Sequence, residues 1–335
     1  MVAYTGIQGQ NILIVSSDPS DPTEGQIWYN STSNLLKGYA NVVTNAWASG
    51  GNLPEGVAQG MSAGTQTAAL FVGGITTVKI GTTRTYNGST WTNVPATLNT
   101  ARAQASQLGG TGTQTAALVA FGSVGNPYEV VSESWNGSTW TNTNSGNSPR
   151  TVVAGGGTQT SALAFGGLKP YLGFYDASNA TESFNGTNWT SLASMNTGRF
   201  SLTGTGTQTA ALAIGGGIGP TGATTSNKTE SWNGSAWSNV NNLNTTRYGL
   251  GSAGIQTAAI AFGGSDATNN TGATELWNGT SWTTNPNSLG TSRTDVVGTG
   301  SISSGLAIGG YTTGPSTATE EWTGTAVAVR TITTS

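Results

Sequence analysis

One unit of sequence recurs six times along this chain, and that recurrence constrains the fold more than any other feature. Residues 157–190 carry it in full: Gly-Thr-Gln-Thr-Ser-Ala-Leu-Ala-Phe-Gly-Gly from Gly157, a polar spacer, then Thr-Glu-Ser-Phe-Asn-Gly-Thr-Asn-Trp-Thr. The first half returns from Gly64, Gly112, Gly206, Gly254 and, degraded, Gly300, at successive spacings of 48, 45, 49, 48 and 46 residues. The second half keeps step as Tyr86/Trp91, Trp135/Trp140, Phe184/Trp189, Trp232/Trp237, Trp277/Trp282 and Trp322/Val327, always five residues apart. A fixed period of this length is the signature of a propeller or a solenoid.

Within each period the residues read as four short strands. The first follows a recurring Arg, as in Thr151–Ala154, and the second is the small apolar run Ser161–Phe165, closed by Gly-Gly. The third is Ala180–Phe184 and the fourth starts at Trp189, with Asn-Gly between them. Asn and Gly both tolerate the positive φ of a type I′ turn, so the pair is a strong hairpin signal. Ala-rich second strands suit the crowded middle of such an assembly, and the aromatics suit packing between neighbouring sheets. The fold class expected is all-β: a propeller of four-stranded blades, seven favoured and six as the alternative.

Composition matters mainly for what it excludes. Only 7% of the 335 residues are charged, against roughly a quarter in an ordinary domain. In-register aromatics (11 Trp, 9 Tyr and 7 Phe) distinguish the chain from a disordered polar tract. A net charge of −3 offers no basic face for nucleic acid. With no Cys and no His, disulfides, thiol chemistry and imidazole catalysis are excluded, and no metal site or cofactor is expected. Met1-Val-Ala-Tyr carries no basic region and Ile12–Val15 is far shorter than a membrane segment, so no membrane insertion is expected.

The N-terminal part departs from the repeat. Residues 1–25 read as an arm or linker, with one short β-branched run and the turn-rich Asp18-Pro-Ser-Asp-Pro-Thr-Glu-Gly25. Residues 26–50 read as a hairpin around Ser31–Asn34 followed by a strand at Trp47, a partial blade without its first strand. Residues 53–330 hold the six repeats, and the tail 325–335 is expected to supply the missing strand and close the ring within a propeller domain of 26–335.

The repeat resembles the kelch repeat, with a double Gly ending one strand and a Tyr and a Trp on the next two. Gly73-Gly74…Tyr86…Trp91 matches it best, and Gly166-Gly167…Phe184…Trp189 and Gly263-Gly264…Trp277…Trp282 are close variants. The resemblance implies a propeller over about residues 53–330 and says almost nothing of function. A second resemblance lies in Pro22–Tyr39, which is similar to a segment of bacteriophage tail-fibre and other virion proteins. The Gly/Thr/Asn-rich repeats are likewise similar to virion-associated propellers of phages of aquatic bacteria. These resemblances imply a virion location, partners among other virion proteins reached through residues 1–50, and multiple copies on the particle.

Recurring polar residues have two readings each. Arg150, Arg199, Arg247 and Arg293 stand seven residues before the repeat Gly, with Arg102 displaced by three. Glu133, Glu182, Glu230, Glu275 and Glu320 stand two before the third-strand aromatic. The first repeat swaps the charges, with Arg84 at the Glu position and Glu55 near the Arg position, which argues for pairing; the alternative is an Arg ring that binds an anion. Gln66, Gln114, Gln159, Gln208 and Gln256 either satisfy turn backbone or line a polar opening. The Asn-Gly-Ser/Thr triplets at Asn87, Asn136, Asn185, Asn233 and Asn278 match glycosylation sequons, but hairpin geometry accounts for them.

No catalytic set is visible. A kelch-type copper oxidase needs His and Cys. The Asn-Gly-Ser-Thr-Trp turns resemble the Asp-box of sialidases with Asn in place of the aspartate. The acids outside the repeat pattern, Asp176, Asp266 and Asp295, form no motif for paired-carboxylate hydrolysis. The longest spacer, Leu168–Asn179, offers Lys169, Tyr171, Phe174 and Tyr175 for stacking on a sugar or contacting a protein; folding back over a blade edge is the equal alternative. The function expected is a non-enzymatic tail-fibre or decoration module that presents propeller loops to a host surface glycan or protein, or to a neighbouring virion protein. A cellular interaction scaffold is the alternative, and a degenerate carbohydrate-active enzyme the last.

Overall fold

The computed structural model describes residues 12–23, 25–103, 107–108, 111–124, 130–171, 174–220 and 224–332. Among them there are strands and turns but no helix. Two compact units form, one of Met1–Asn45 with Gly324–Ser335 and the other of Ala46–Thr323. The strands Leu35–Ser49 and Thr319–Thr331 each contribute to both units.

In the smaller unit, Leu13–Val15 runs parallel to Ile27–Asn30, which pairs antiparallel with Leu35–Gly38. Asn30 accepts the backbone N–H groups of Thr32 and Ser33 and so holds the polar turn that the sequence places at 31–34. Asp18 ties the unit together, accepting from Trp28 Nε1 (3.1 Å), Asn30 Nδ2 (2.8 Å) and Lys37 Nζ (2.7 Å). The Lys37 ammonium, then the Asn30 and Trp28 donors, pull its carboxyl down to about 2. A carboxyl depressed in this way stabilises above its unfolded value, near 3.8, and the contribution is lost as pH falls through about 2. In an acid titration followed by NMR, the Trp28 indole N–H should therefore hold its position from neutral pH to about pH 3 and shift only as pH approaches 2. A shift centred near pH 4 would show that Asp18 is not held as described.

In the larger unit, four of the repeats build four-stranded antiparallel sheets or most of one. The third has Ala154–Thr158, Ser161–Phe165, Thr181–Phe184 and Trp189–Leu192, with Gln107–Leu108 added as a parallel fifth strand beside Ala154–Thr158. The first, fourth and fifth have the same four antiparallel strands, from Met61–Thr65, Thr203–Gly206 and Gly251–Ile255 onward. The second repeat shows Ala117–Ala120, Ser132–Trp135 and Trp140–Thr143 as its sheet. In the sixth, Val297–Gly300 and Ser304–Ile308 are followed by Thr319–Thr331, whose other neighbour is Leu35–Ser49.

That last neighbour puts the tail beside residues 26–50, in one sheet with the strands of the sixth repeat, and Ile332 N–H donates to Leu36 O at 2.8 Å. Ala46–Ser49 takes the fourth-strand place in the sixth repeat, while the residues before it and those after Thr323 belong to the smaller unit. No Gly or Pro interrupts Asn41-Val-Val-Thr-Asn-Ala-Trp47, so the strand runs on instead of turning. Trp322 stacks at 5.3 Å on Trp47, which arrives from the other end of the repeat region.

Neighbouring repeats are joined by the fourth-strand tryptophans. Trp91 Nε1 donates to Thr319 Oγ1, Trp140 to Thr83, Trp189 to Ser132, Trp237 to Thr181, Trp282 to Thr229 and Trp47 to Thr274, at 2.8–3.1 Å. Each link crosses to the third strand of the preceding repeat, and after six links the series returns to its start. The glutamines form a second tier: Gln66, Gln114, Gln159, Gln208 and Gln256 each donate to strand carbonyls of the preceding repeat, as Gln208 does to Ala162 and Phe184. Ile302 holds the corresponding place in the sixth repeat, so one joint lacks the amide. Burying one such Trp contributes about 4–6 kcal/mol by area, an upper bound.

First strands meet where space is tightest. A Cβ on Gly298 would lie 2.2 Å from the Ser252 carbonyl oxygen, so the close approach requires glycine there. Ser and Thr hydroxyls fill the remaining gaps by bonding to the next repeat's backbone, as Thr299 Oγ1 does to Gly64 O (2.7 Å) and Ser62 Oγ to Gly298 O (2.8 Å).

Candidate functional site

An antiparallel meander puts its first and third turns at one end and its second turn at the other. At one end of these sheets therefore stand the x-Gln-Thr turns and the Asn-Gly hairpins, nearly identical in the first five repeats. The Asn side chain caps each hairpin, as Asn136 does by accepting the N–H groups of Ser138 and Thr139. That geometry is the whole use of Asn Oδ1 here. The opposite end carries the second turns, in which the repeats differ.

These second turns range from short to long. Residues 75–79 close through an Ile75–Lys79 bridge, 265–270 through Ser265–Asn270 and 311–315 through Tyr311–Pro315. Gly217–Ile218 pairs with Thr224–Thr225 in the fourth repeat. The longest forms a hairpin of Leu168–Tyr171 and Phe174–Ala177, with Lys169 opposite Asp176, Pro170 opposite Tyr175 and Tyr171 opposite Phe174. It brings the four sequence-predicted site residues onto one ribbon. Tyr175 is half-buried, and the side chains of Tyr171 and Phe174 lie outside the described residues.

The repeated charges are interior. Arg102–Glu133, Arg150–Glu182, Arg199–Glu230 and Arg247–Glu275 pair at 2.5–3.0 Å, and Arg293 pairs with Glu320. All five guanidinium groups have zero exposure, so they present no ring of charge to an anion. Each Arg also donates to backbone; Arg199 Nη1 reaches the carbonyls of Gly215 and Lys228, both at 2.7 Å. The Glu partner accepts N–H groups from the connection that carries the Arg, as Glu230 does from Asn196 and Thr197. Burial pushes Arg150, Arg199 and Arg247 below the ordinary arginine value, and the adjacent carboxylates oppose it.

Sequence reasoning overlooked the Asn three positions before four of these arginines. Asn99, Asn147, Asn196 and Asn244 donate to the carbonyls of Trp140, Trp189, Trp237 and Trp282. The Asn-x-x-Arg spacing was there to be read.

The first repeat is the exception. Arg84, on its third strand, is fully buried and pairs with Glu55, whose side chain is 49% exposed. Glu55 lies on an open cleft of about 260 Å³ lined also by Gly56, Thr76, Thr77 and Pro315. Asp266 and Asp295 serve structure. Asp266 caps its own turn through the N–H groups of Thr268 and Asn269, which lower its carboxyl. Asp295 accepts from Gln59 Nε2 at 2.9 Å, while burial pushes its carboxyl up. Among the described residues no three acids gather into a metal-binding group. No family model matches the chain, and no curated protein matches it.

Proposed function

We propose that the chain is a kelch-type propeller of six blades that serves as a non-enzymatic adhesion or decoration module of a phage particle. The six-bladed reading, the alternative at the level of sequence, is supported by the tryptophan-to-threonine links, which close on themselves in six steps. The kelch reading is supported by the stacking of each third-strand aromatic on the fourth-strand Trp, for example Phe184 on Trp189 at 5.1 Å and Trp277 on Trp282 at 5.3 Å.

The observation that carries the functional reading is the contrast between the two ends. Five amide clamps, five buried ion pairs and six indole links make a rigid frame, and the repeats differ most in length in the second turns. A rigid frame with divergent loops at one end is built to bind. The virion setting rests on the resemblance of Pro22–Tyr39 to phage tail-fibre segments, and contact with other virion proteins is assigned to residues 1–50. Many copies on one particle would turn weak single contacts into firm attachment.

The test is adsorption competition. Purified protein should bind host cells and slow phage adsorption, and a form without residues 1–25 should still bind cells but no longer join particles. Failure to associate with either cells or particles would move the reading to a cellular interaction scaffold; turnover of a polysaccharide would move it to an enzyme.

A further inference from the structure

We propose that the cleft bounded by Glu55, Gly56, Thr76, Thr77 and Pro315 is a binding site for a neutral saccharide, with Glu55 as its principal hydroxyl acceptor. The proposal deepens the adhesion reading and rests on it only for the source of the sugar, a host surface.

The first repeat exchanges the positions of the paired charges. If the swap were structurally neutral, Glu55 would be as buried as its counterparts. The other five glutamates are at most 8% exposed, whereas Glu55 is 49% exposed. Exchanging the positions has moved one carboxylate from the interior to the loop end of the frame. Nη1 of Arg150, Arg199 and Arg247 donates to two carbonyls each, whereas Nη1 of the fully buried Arg84 has no partner; an unpartnered Nε is shared with those arginines, and Arg293 likewise lacks a partner at one Nη. Buried donors without partners are destabilising, and native proteins keep few of them. What sets the first repeat apart is the exposed carboxylate at the rim of a cleft, and that exposure points to use of the group.

The cleft has the size and chemistry for a sugar ring. Its volume of about 260 Å³ exceeds that of one hexose and is far below that of a protein loop. Glu55 Oε1 takes the Arg84 hydrogen bond, and Oε2 is free to accept from hydroxyls. Thr77 is exposed with no hydrogen-bond partner among the described residues, and Thr76 is half-exposed beside it. The backbone is close-set: a Cβ on Gly56 would lie 2.3 Å from the Pro315 carbonyl oxygen. Tyr311, 41% exposed, stands in the same turn as Pro315, which makes it the aromatic side chain to test for stacking on a bound ring. Because Arg84 already neutralises Glu55, the site favours neutral hydroxyl donors over a cationic side chain.

The experiment uses the full chain, with glucose, galactose, mannose, rhamnose and N-acetylglucosamine as probes and a lysine-containing peptide as the competing class. Saturation-transfer NMR should detect at least one of the sugars, with Kd about 1–10 mM for a single site. Glu55→Gln should weaken it about tenfold or more, and Thr77→Val several-fold, with the melting temperature of Thr77→Val unchanged. Since Glu55→Gln also loosens Arg84, Thr77→Val and Tyr311→Ala decide the matter if that variant is unstable. No sugar binding at ~20 mM, preference for the peptide, or unchanged affinity in Thr77→Val and Tyr311→Ala overturns the proposal. Cell adhesion read on the same samples separates the two ideas. Adhesion that survives all three substitutions sinks this site and leaves the adhesion module standing; sugar binding without adhesion does the reverse.

Discussion

A chain of residues 46–323 should retain the thermal stability of the repeat region, and removing four more residues, to 50–323, should cost at least about 3–5 kcal/mol. The four residues carry Trp47, which packs edge-on against Phe262 at 4.8 Å, tilts against Trp322 at 5.3 Å and donates to Thr274. Without them the sixth repeat has three strands, its outer edge is unpaired and a buried Trp322 faces solvent. Trp47→Ala in the full chain isolates the side chain from the strand, and it should account for most of the loss. The measurement is the midpoint of denaturant unfolding followed by tryptophan fluorescence. If 50–323 unfolds within about 0.5 kcal/mol of 46–323, the sixth repeat does not depend on an N-terminal strand and the closed series of links is wrong.

The repeat architecture was open to sequence reading because it is written in local chemistry six times over. Asn-Gly between two aromatics specifies a hairpin whatever surrounds it, and averaging over copies removes the ambiguity of any one. The partner of Trp322 was not legible in the same way. Trp47 lies hundreds of residues away and outside the period, so no local spacing points to it. The Glu55–Arg84 exchange shows a third case. The swap itself is visible in the sequence, but the consequence is not, because exposure of Glu55 depends on how the connection at 53–58 passes beneath the 311–315 turn. The hairpin at 168–177 was chosen for its length and aromatics, features that mark variability; they do not report an acceptor left over in a shorter loop.

The buried ion pairs offer the second large effect. Arg199→Ala should destabilise the protein by about 3–5 kcal/mol, since it leaves Glu230 charged, buried and without its counter-ion. In many proteins a buried pair can be replaced by apolar residues at little net cost. Here that rescue should be incomplete. Arg199 also satisfies the carbonyls of Gly215 and Lys228, and Glu230 the N–H groups of Asn196 and Thr197. Arg199→Met combined with Glu230→Met removes the unpaired charge but orphans those four backbone groups, each worth about 1–3 kcal/mol when buried and unpaired. The double variant should thus recover only part of the loss, remaining at least about 2 kcal/mol below the wild type. A double variant as stable as the wild type would mean that the pair acts only as two charges. A persistent deficit would mean that it clamps the connection between repeats to the sheet beneath it, which explains why a chain with so few charged residues holds five such buried pairs.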